Sequence, residues 1–92
     1  MSYDDNELGR LRVEIDTLDR QLLELIAARF QVSRQIGSLK RMLDLPVRDP
    51  GREAQQIQSM RERADKEGVS PDLAERILQL IIDQVVSEHQ HA

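Results

Sequence analysis

Apolar residues fall at Leu8, Leu11, Ile15, Leu18, Leu22, Leu25, Val32, Ile36, Leu39 and Leu43. This three-four alternation draws one continuous stripe along a helix. One position breaks the rule: where the stripe calls for an apolar side chain at 29, the chain has Arg29. No proline interrupts the run, and Gly9 and Gly37 are its weak helix formers. The pattern predicts a single helix over about residues 6–43. Its Leu8 to Leu43 stretch is roughly 53 Å long at 1.5 Å per residue, whereas a compact chain of this size is only about 32 Å across. Such a helix cannot bury its stripe against its own chain alone and needs a partner.

The remainder of the chain has its own grammar. Met1 to Asn6 reads as a frayed lead-in in which Asp4, Asp5 or Asn6 caps the long helix. Asp44-Leu45-Pro46-Val47-Arg48 is a connection, because Pro46 lacks a donor and disfavours helix at Leu45. Asp49-Pro50 reads as an N-cap followed by proline at the first helical position. It opens a second helix, about 50–67, with a narrow stripe of Ala54, Ile57, Met60 and Ala64 and an end near Gly68. Ser70-Pro71-Asp72 repeats the capping pattern, and Leu73, Ile77, Leu80, Ile81 and Val85 mark a third helix over about 71–89. One long and two short helices predict a single all-α domain spanning residues 1–92.

Composition narrows the picture. With 39% hydrophobic residues, one Tyr, one Phe and no Trp, the core must be built from Leu, Ile and Val between helices. A chain of 92 residues buries a modest share of its surface, so association is an expected source of further core. The absence of cysteine excludes a disulfide framework or a thiolate metal site and fits a reducing compartment. No signal peptide or membrane span is evident, and no membrane role is expected. A net charge of -4 argues against a dedicated nucleic-acid binder.

The polar exceptions then suggest chemistry. An unpaired guanidinium within an apolar stripe is costly, so Arg29 is a buried ion pair, a snorkelling side chain or part of an anion site. Lys40 follows three turns later, only about 20° round the helix, and Ser33 lies between them on the same side. Arg12 is about 25 Å from Arg29 along the helix and cannot serve the same small ligand within one chain. If two long helices pair antiparallel about a two-fold axis near residue 25, Arg12 of one copy falls beside Lys40 of the other. A second cluster, Arg48-Asp49-Pro50-Gly51-Arg52-Glu53, sets an acid at the start of the second helix, where it can accept a hydrogen bond from a ligand hydroxyl. Cations for carboxylates and an acid for a hydroxyl describe a small hydroxylated dianion.

These residues carry a family likeness. Leu11-Arg12-x-x-Ile15-Asp16-x-Leu18-Asp19, Leu25-Ile26-Ala27-x-Arg29, Ile36-Gly37-x-x-Lys40, Pro46-Val47-Arg48-Asp49-x-x-Arg52-Glu53 and Leu80-Ile81-Ile82 together resemble the all-helical chorismate mutase family. The resemblance runs from about Leu8 to His89. It implies an intertwined homodimer of three-helix subunits with two sites, each completed by an arginine of the partner chain. Arg12 matches that crossing arginine, Arg29 and Lys40 the cations of the long helix, Asp49 and Glu53 the acids of the loop and second helix, and Arg52 a further arginine near the substrate. Two positions depart from the family. Val85 stands where a small hydroxyl residue is common, and His89 stands where Gln or Glu commonly faces the substrate's ether oxygen. Gln90 would serve only after a one-residue shift, and Gln84 lies more than a turn away.

The implied reaction, chorismate to prephenate in phenylalanine and tyrosine biosynthesis, is a unimolecular [3,3] rearrangement. It requires no nucleophile, metal or redox cofactor. Negative charge gathers on the ether oxygen in the transition state, where Lys40 and His89 would donate. Arg12 and Arg29 would clamp two carboxylates in the reactive shape, and Glu53 would hold the ring hydroxyl. A cytoplasmic location is expected. The same scaffold could serve an isochorismate pyruvate-lyase, an aminodeoxychorismate mutase, or a non-catalytic dimer that regulates a shikimate-pathway enzyme as its partner.

Overall fold

Nothing between Ser2 and Met42 stops a helix, and the chain takes that course throughout. The computed structural model describes the backbone of residues 2–90 and the side chains of residues 5–90. It consists of α1 (Ser2–Met42), α2 (Pro50–Glu67) and α3 (Pro71–Gln90), with no strand among the described residues. The fold is all-α. The expected lead-in is corrected: Ser2 to Asn6 are helical, so Asp4, Asp5 and Asn6 lie inside α1 rather than ahead of it. The segment contains no proline or glycine, and its acids occupy the first turns, where the helix dipole favours negative charge. Met1 lies outside the described residues.

Sequence caps decide the other boundaries. Asp49 Oδ1 accepts a hydrogen bond from the Arg52 amide at 3.1 Å, and Pro50 occupies the first position of α2. Ser70 Oγ accepts the Leu73 amide at 3.2 Å at the start of α3. α2 ends in a Schellman motif. Gly68 takes φ +76°, its amide reaches Asp65 O at 3.3 Å, and the Val69 amide reaches Ala64 O at 2.8 Å. α1 ends by the same pattern. The Asp44 amide reaches Arg41 O at 3.2 Å and the Leu45 amide reaches Lys40 O at 2.8 Å. Here, however, a non-glycine residue sits at positive φ, 55° for Asp44. Left-handed backbone costs an L-residue up to roughly 1–2 kcal/mol, less for Asp and Asn. Asp44→Gly is therefore expected to raise Tm by a few degrees, as a thermal melt will show. A lower Tm would mean that the Asp44 carboxylate makes a compensating contact.

The chain divides within α1 into two units, Met1–Val32 and Ser33–Ala92. The described residues of the first, from Ser2 on, are helix alone. Its stripe residues Leu8, Leu11, Ile15, Leu18, Leu22 and Leu25 are all exposed, from 45% at Leu8 to 70% at Leu25. Arg10 pairs with Glu7 and with Glu14 across successive turns. The second unit carries the core, in which α2 packs against α3. Leu78, Ile82 and Val86 are buried, with Val47 and Ile57 packed on them, and Ala64 and Ala74 are buried as well. Arg61 of α2 donates to Asp72 and Glu75 of α3, each at 2.9 Å.

This core differs from the expected stripe on α3. Ala74, Leu78, Ile82 and Val86, spaced by four, face inward, while Leu73, Ile77 and Leu80 remain exposed. α3 is apolar on two faces, and the periodicity alone does not say which one α2 covers. On α2, Ala64 and Ile57 follow the expected stripe, whereas Ala54 and Met60 are exposed.

Candidate active site

Lys40 lies in the last turn of α1, and its half-buried side chain bends onto the connection that follows. Its Nζ donates to the Val47 carbonyl at 3.1 Å. Val47 is fixed in turn because its side chain packs on the Leu78, Ile82 and Val86 cluster. An ammonium that would otherwise sweep through solvent is thus pinned to a loop anchored in the core.

The next residue makes the second fastening. Arg48 grips the Glu53 carboxylate with two bonds, Nε to Oε2 at 3.2 Å and Nη2 to Oε1 at 2.9 Å. Nη2 also approaches Asp83 Oδ1 at 3.4 Å, and that same oxygen accepts Gln79 Nε2 at 2.9 Å. The hydrogen bond and charge of Glu53, reinforced by Asp83, raise the Arg48 guanidinium above the ordinary arginine value. The bidentate pair is the strong, orienting form of such a contact. Sequence reasoning named Glu53 and did not assign Arg48 a part. A signal was available: with Asp49 as N-cap, Arg48 and Glu53 occupy the positions just before the cap and four into the helix, which a capped helix brings together. Here an ion pair stands where a hydrophobic staple is usual.

Asp49 serves as the cap, and Arg52 contributes its backbone amide to that bond while its residue stays exposed. Val85 is half-buried on α3 beside buried Val86. It offers no polar atom.

His89 packs against α1 at Gly37, one turn before Lys40. A Cβ built on Gly37 would lie 2.6 Å from His89 Cε1 and 2.9 Å from Cδ2, and it would also collide with Nε2. Only glycine permits this approach. His89 Nε2 is enclosed there without a hydrogen-bond partner. In this position Nδ1 is the nitrogen left to meet a ligand. An open cleft of about 470 Å³ borders the ring, lined by Arg34, Ser38, Arg41, Glu88 and His89. Arg34 Nε stands 3.8 Å from Glu88 Oε2 across it.

Lys40, Asp49, Arg52, Glu53, Val85 and His89 therefore all lie in the Ser33–Ala92 unit. Arg12 and Arg29 belong to the Met1–Val32 unit, where Arg12 is exposed and Arg29 is half-buried. The expected burial of position 29 is thus only partial. Among the described residues neither arginine has an ion-pair or side-chain hydrogen-bond partner. No group of His, Cys, Asp or Glu among the described residues could hold a metal ion. The arrangement can bind an anion at Lys40, accept a hydrogen bond from a hydroxyl at Glu53 and offer an imidazole nitrogen at His89.

Comparison with known proteins gives this geometry a context. Residues 11–90 match the family described as chorismate mutase type II. The chain is 44% identical to the T-protein of Haemophilus influenzae over 77% of this chain and 19% of that protein. It is 29% identical to the chorismate mutase of Methanocaldococcus jannaschii over 84% of this chain and 78% of that protein. It is 31% identical to the 4-amino-4-deoxychorismate mutase of Streptomyces venezuelae over 92% of this chain and 79% of that protein. The chain spans about a fifth of the length of the T-proteins it matches.

Proposed function

Because this chain belongs to the type II chorismate mutase family, we propose that it converts chorismate to prephenate by clamping the substrate and stabilising its transition state electrostatically. One observation carries the reading: Lys40 and Glu53 are fastened to adjacent residues, Val47 and Arg48, of a single loop. An ammonium and a carboxylate anchored through neighbouring residues suit a ligand that bears both an anionic group and a hydroxyl. Lys40 would donate to the ether oxygen as its bond to the ring breaks, a role worth more as charge develops there. His89 would be the second donor. Glu53 would accept from the ring hydroxyl, with Asp49 and Arg52 at the rim and Val85 as apolar wall. No covalent intermediate or cofactor enters this rearrangement.

The reading includes a homodimer. Arg29 and the partner subunit's Arg12 would hold the two carboxylates, and the exposed stripe of α1, with Ile36, Leu39 and Leu43 continuing it, would be the surface that pairs. Burying apolar area of that extent is the strongest available driving force for association. Sedimentation at micromolar concentration should show dimers, and a folded monomer there would overturn this part. A cytoplasmic location and a shikimate-pathway enzyme as partner complete the proposal. Among the described residues no helix is long and apolar enough to cross a membrane.

A second reading rests on the Streptomyces venezuelae relative, whose name specifies an amino group in place of the ring hydroxyl. Incubating the purified protein with chorismate or with 4-amino-4-deoxychorismate, following substrate loss and identifying the product, tests both. Rapid formation of prephenate supports the first reading, and turnover of the amino compound alone supports the second.

A further inference from the structure

The acid that would meet the substrate's ring substituent is itself paired, Glu53 to Arg48. Glu53 is the more enclosed partner, its side chain 19% exposed against 45% for Arg48. Both of its oxygens already accept from Arg48, at 2.9 and 3.2 Å. Each carboxylate oxygen retains a further lone pair, so the acid can still accept one hydrogen bond from a ligand. A neutral hydroxyl requires only that acceptor. An ammonium seeks an uncompensated negative charge, and here a guanidinium has neutralised it.

We infer that Arg48 is a positioning and specificity residue, whose two-bond grip orients the Glu53 carboxylate toward a ring hydroxyl and whose charge disfavours an ammonium at the same place. Asp83 competes for the guanidinium, but weakly. Its single contact is longer, 3.4 Å, its side chain is 55% exposed, and its oxygen also accepts from Gln79. Exposed pairs of that kind contribute little. Asp83 steadies the outer edge of Arg48 while the charge stays with Glu53.

This inference rests on the mutase reading, and the closing experiment separates the two. Parent, Arg48→Met and Arg48→Lys are compared for kcat/KM on chorismate and on 4-amino-4-deoxychorismate. Arg48→Met should lose about tenfold or more on chorismate while the ratio of amino to hydroxyl turnover rises about tenfold, the scale expected for removing a charge a few ångströms away at a partly exposed site. Arg48→Lys keeps the charge and loses the fork. It should therefore fall on chorismate yet hold the parent's ratio. A purely structural Arg48 would lower both substrates together, and an unmoved ratio in Arg48→Met overturns the inference while leaving the mutase reading intact. A parent that turns over neither compound, or that prefers the amino compound, overturns the mutase reading and the inference with it.

Discussion

Arg29→Met is expected to reduce turnover of chorismate by about 10²- to 10³-fold while leaving Tm unchanged or higher. Arg29 is half-buried on α1 and has no ion-pair partner among the described residues. A partly enclosed guanidinium without a counter-charge costs stability in the ligand-free protein, and an unbranched apolar side chain of similar length removes that cost. The same cation facing a substrate carboxylate would supply paired, charge-assisted hydrogen bonds that hold the reactive shape. Function and stability should therefore move in opposite directions. Thermal melts that fall by many degrees with turnover retained would establish a structural ion pair and sink the clamp.

The same residue tests whether two chains share a site. Arg12→Ala and Arg29→Ala should each be nearly inactive as pure proteins. In a mixed dimer both lesions gather in one site and leave the other whole. An equimolar mixture, in which half the dimers are mixed, should then recover about a quarter of parental turnover. No recovery after verified subunit exchange would place both arginines in one chain's site.

The boundaries of α2 and α3 were legible because short-range chemistry sets them. Asp49 and Ser70 cap as their side chains dictate, and Gly68 closes α2 through positive φ. The start of α1 was not legible. Asp4, Asp5 and Asn6 are capping types, yet nothing upstream forces a cap to be used, and acids are equally at home in a first helical turn. The buried face of α3 is illegible for a different reason. Leu73, Ile77 and Leu80 compete with Leu78, Ile82 and Val86, and packing against α2 selects the second set. In the site, residue types and spacing singled out Lys40 and Glu53. Their fastening to Val47 and Arg48 was hidden, since a lysine bonding a backbone carbonyl leaves no mark in side-chain identity. Nor does helical periodicity reveal the contact of Gly37 with His89, which brings together positions 52 residues apart on α1 and α3.

That contact defines the other large expected effect. If the His89 ring reaches the ether oxygen from its seat on Gly37, His89→Ala should lose about 10²-fold in kcat, the usual scale for one transition-state donor. His89→Gln, which keeps an N-H donor, should retain most of the activity. Gly37→Ala then acts as a remote probe of the ring. The added methyl would collide with ring atoms, and these lie at the end of a two-torsion side chain, so the ring yields before the helix does. Alanine also favours a helix interior over glycine by about 1 kcal/mol, and Tm should hold or rise. Activity should nevertheless drop toward the level of His89→Ala, and the double variant should be no worse than His89→Ala alone, because both lesions remove the same donor. Two independent, multiplying losses would mean that the Gly37 methyl obstructs the site beside Lys40 directly. If His89→Ala turns over like the parent, the imidazole is a packing group, and the donor is to be sought at Gln84 or Gln90.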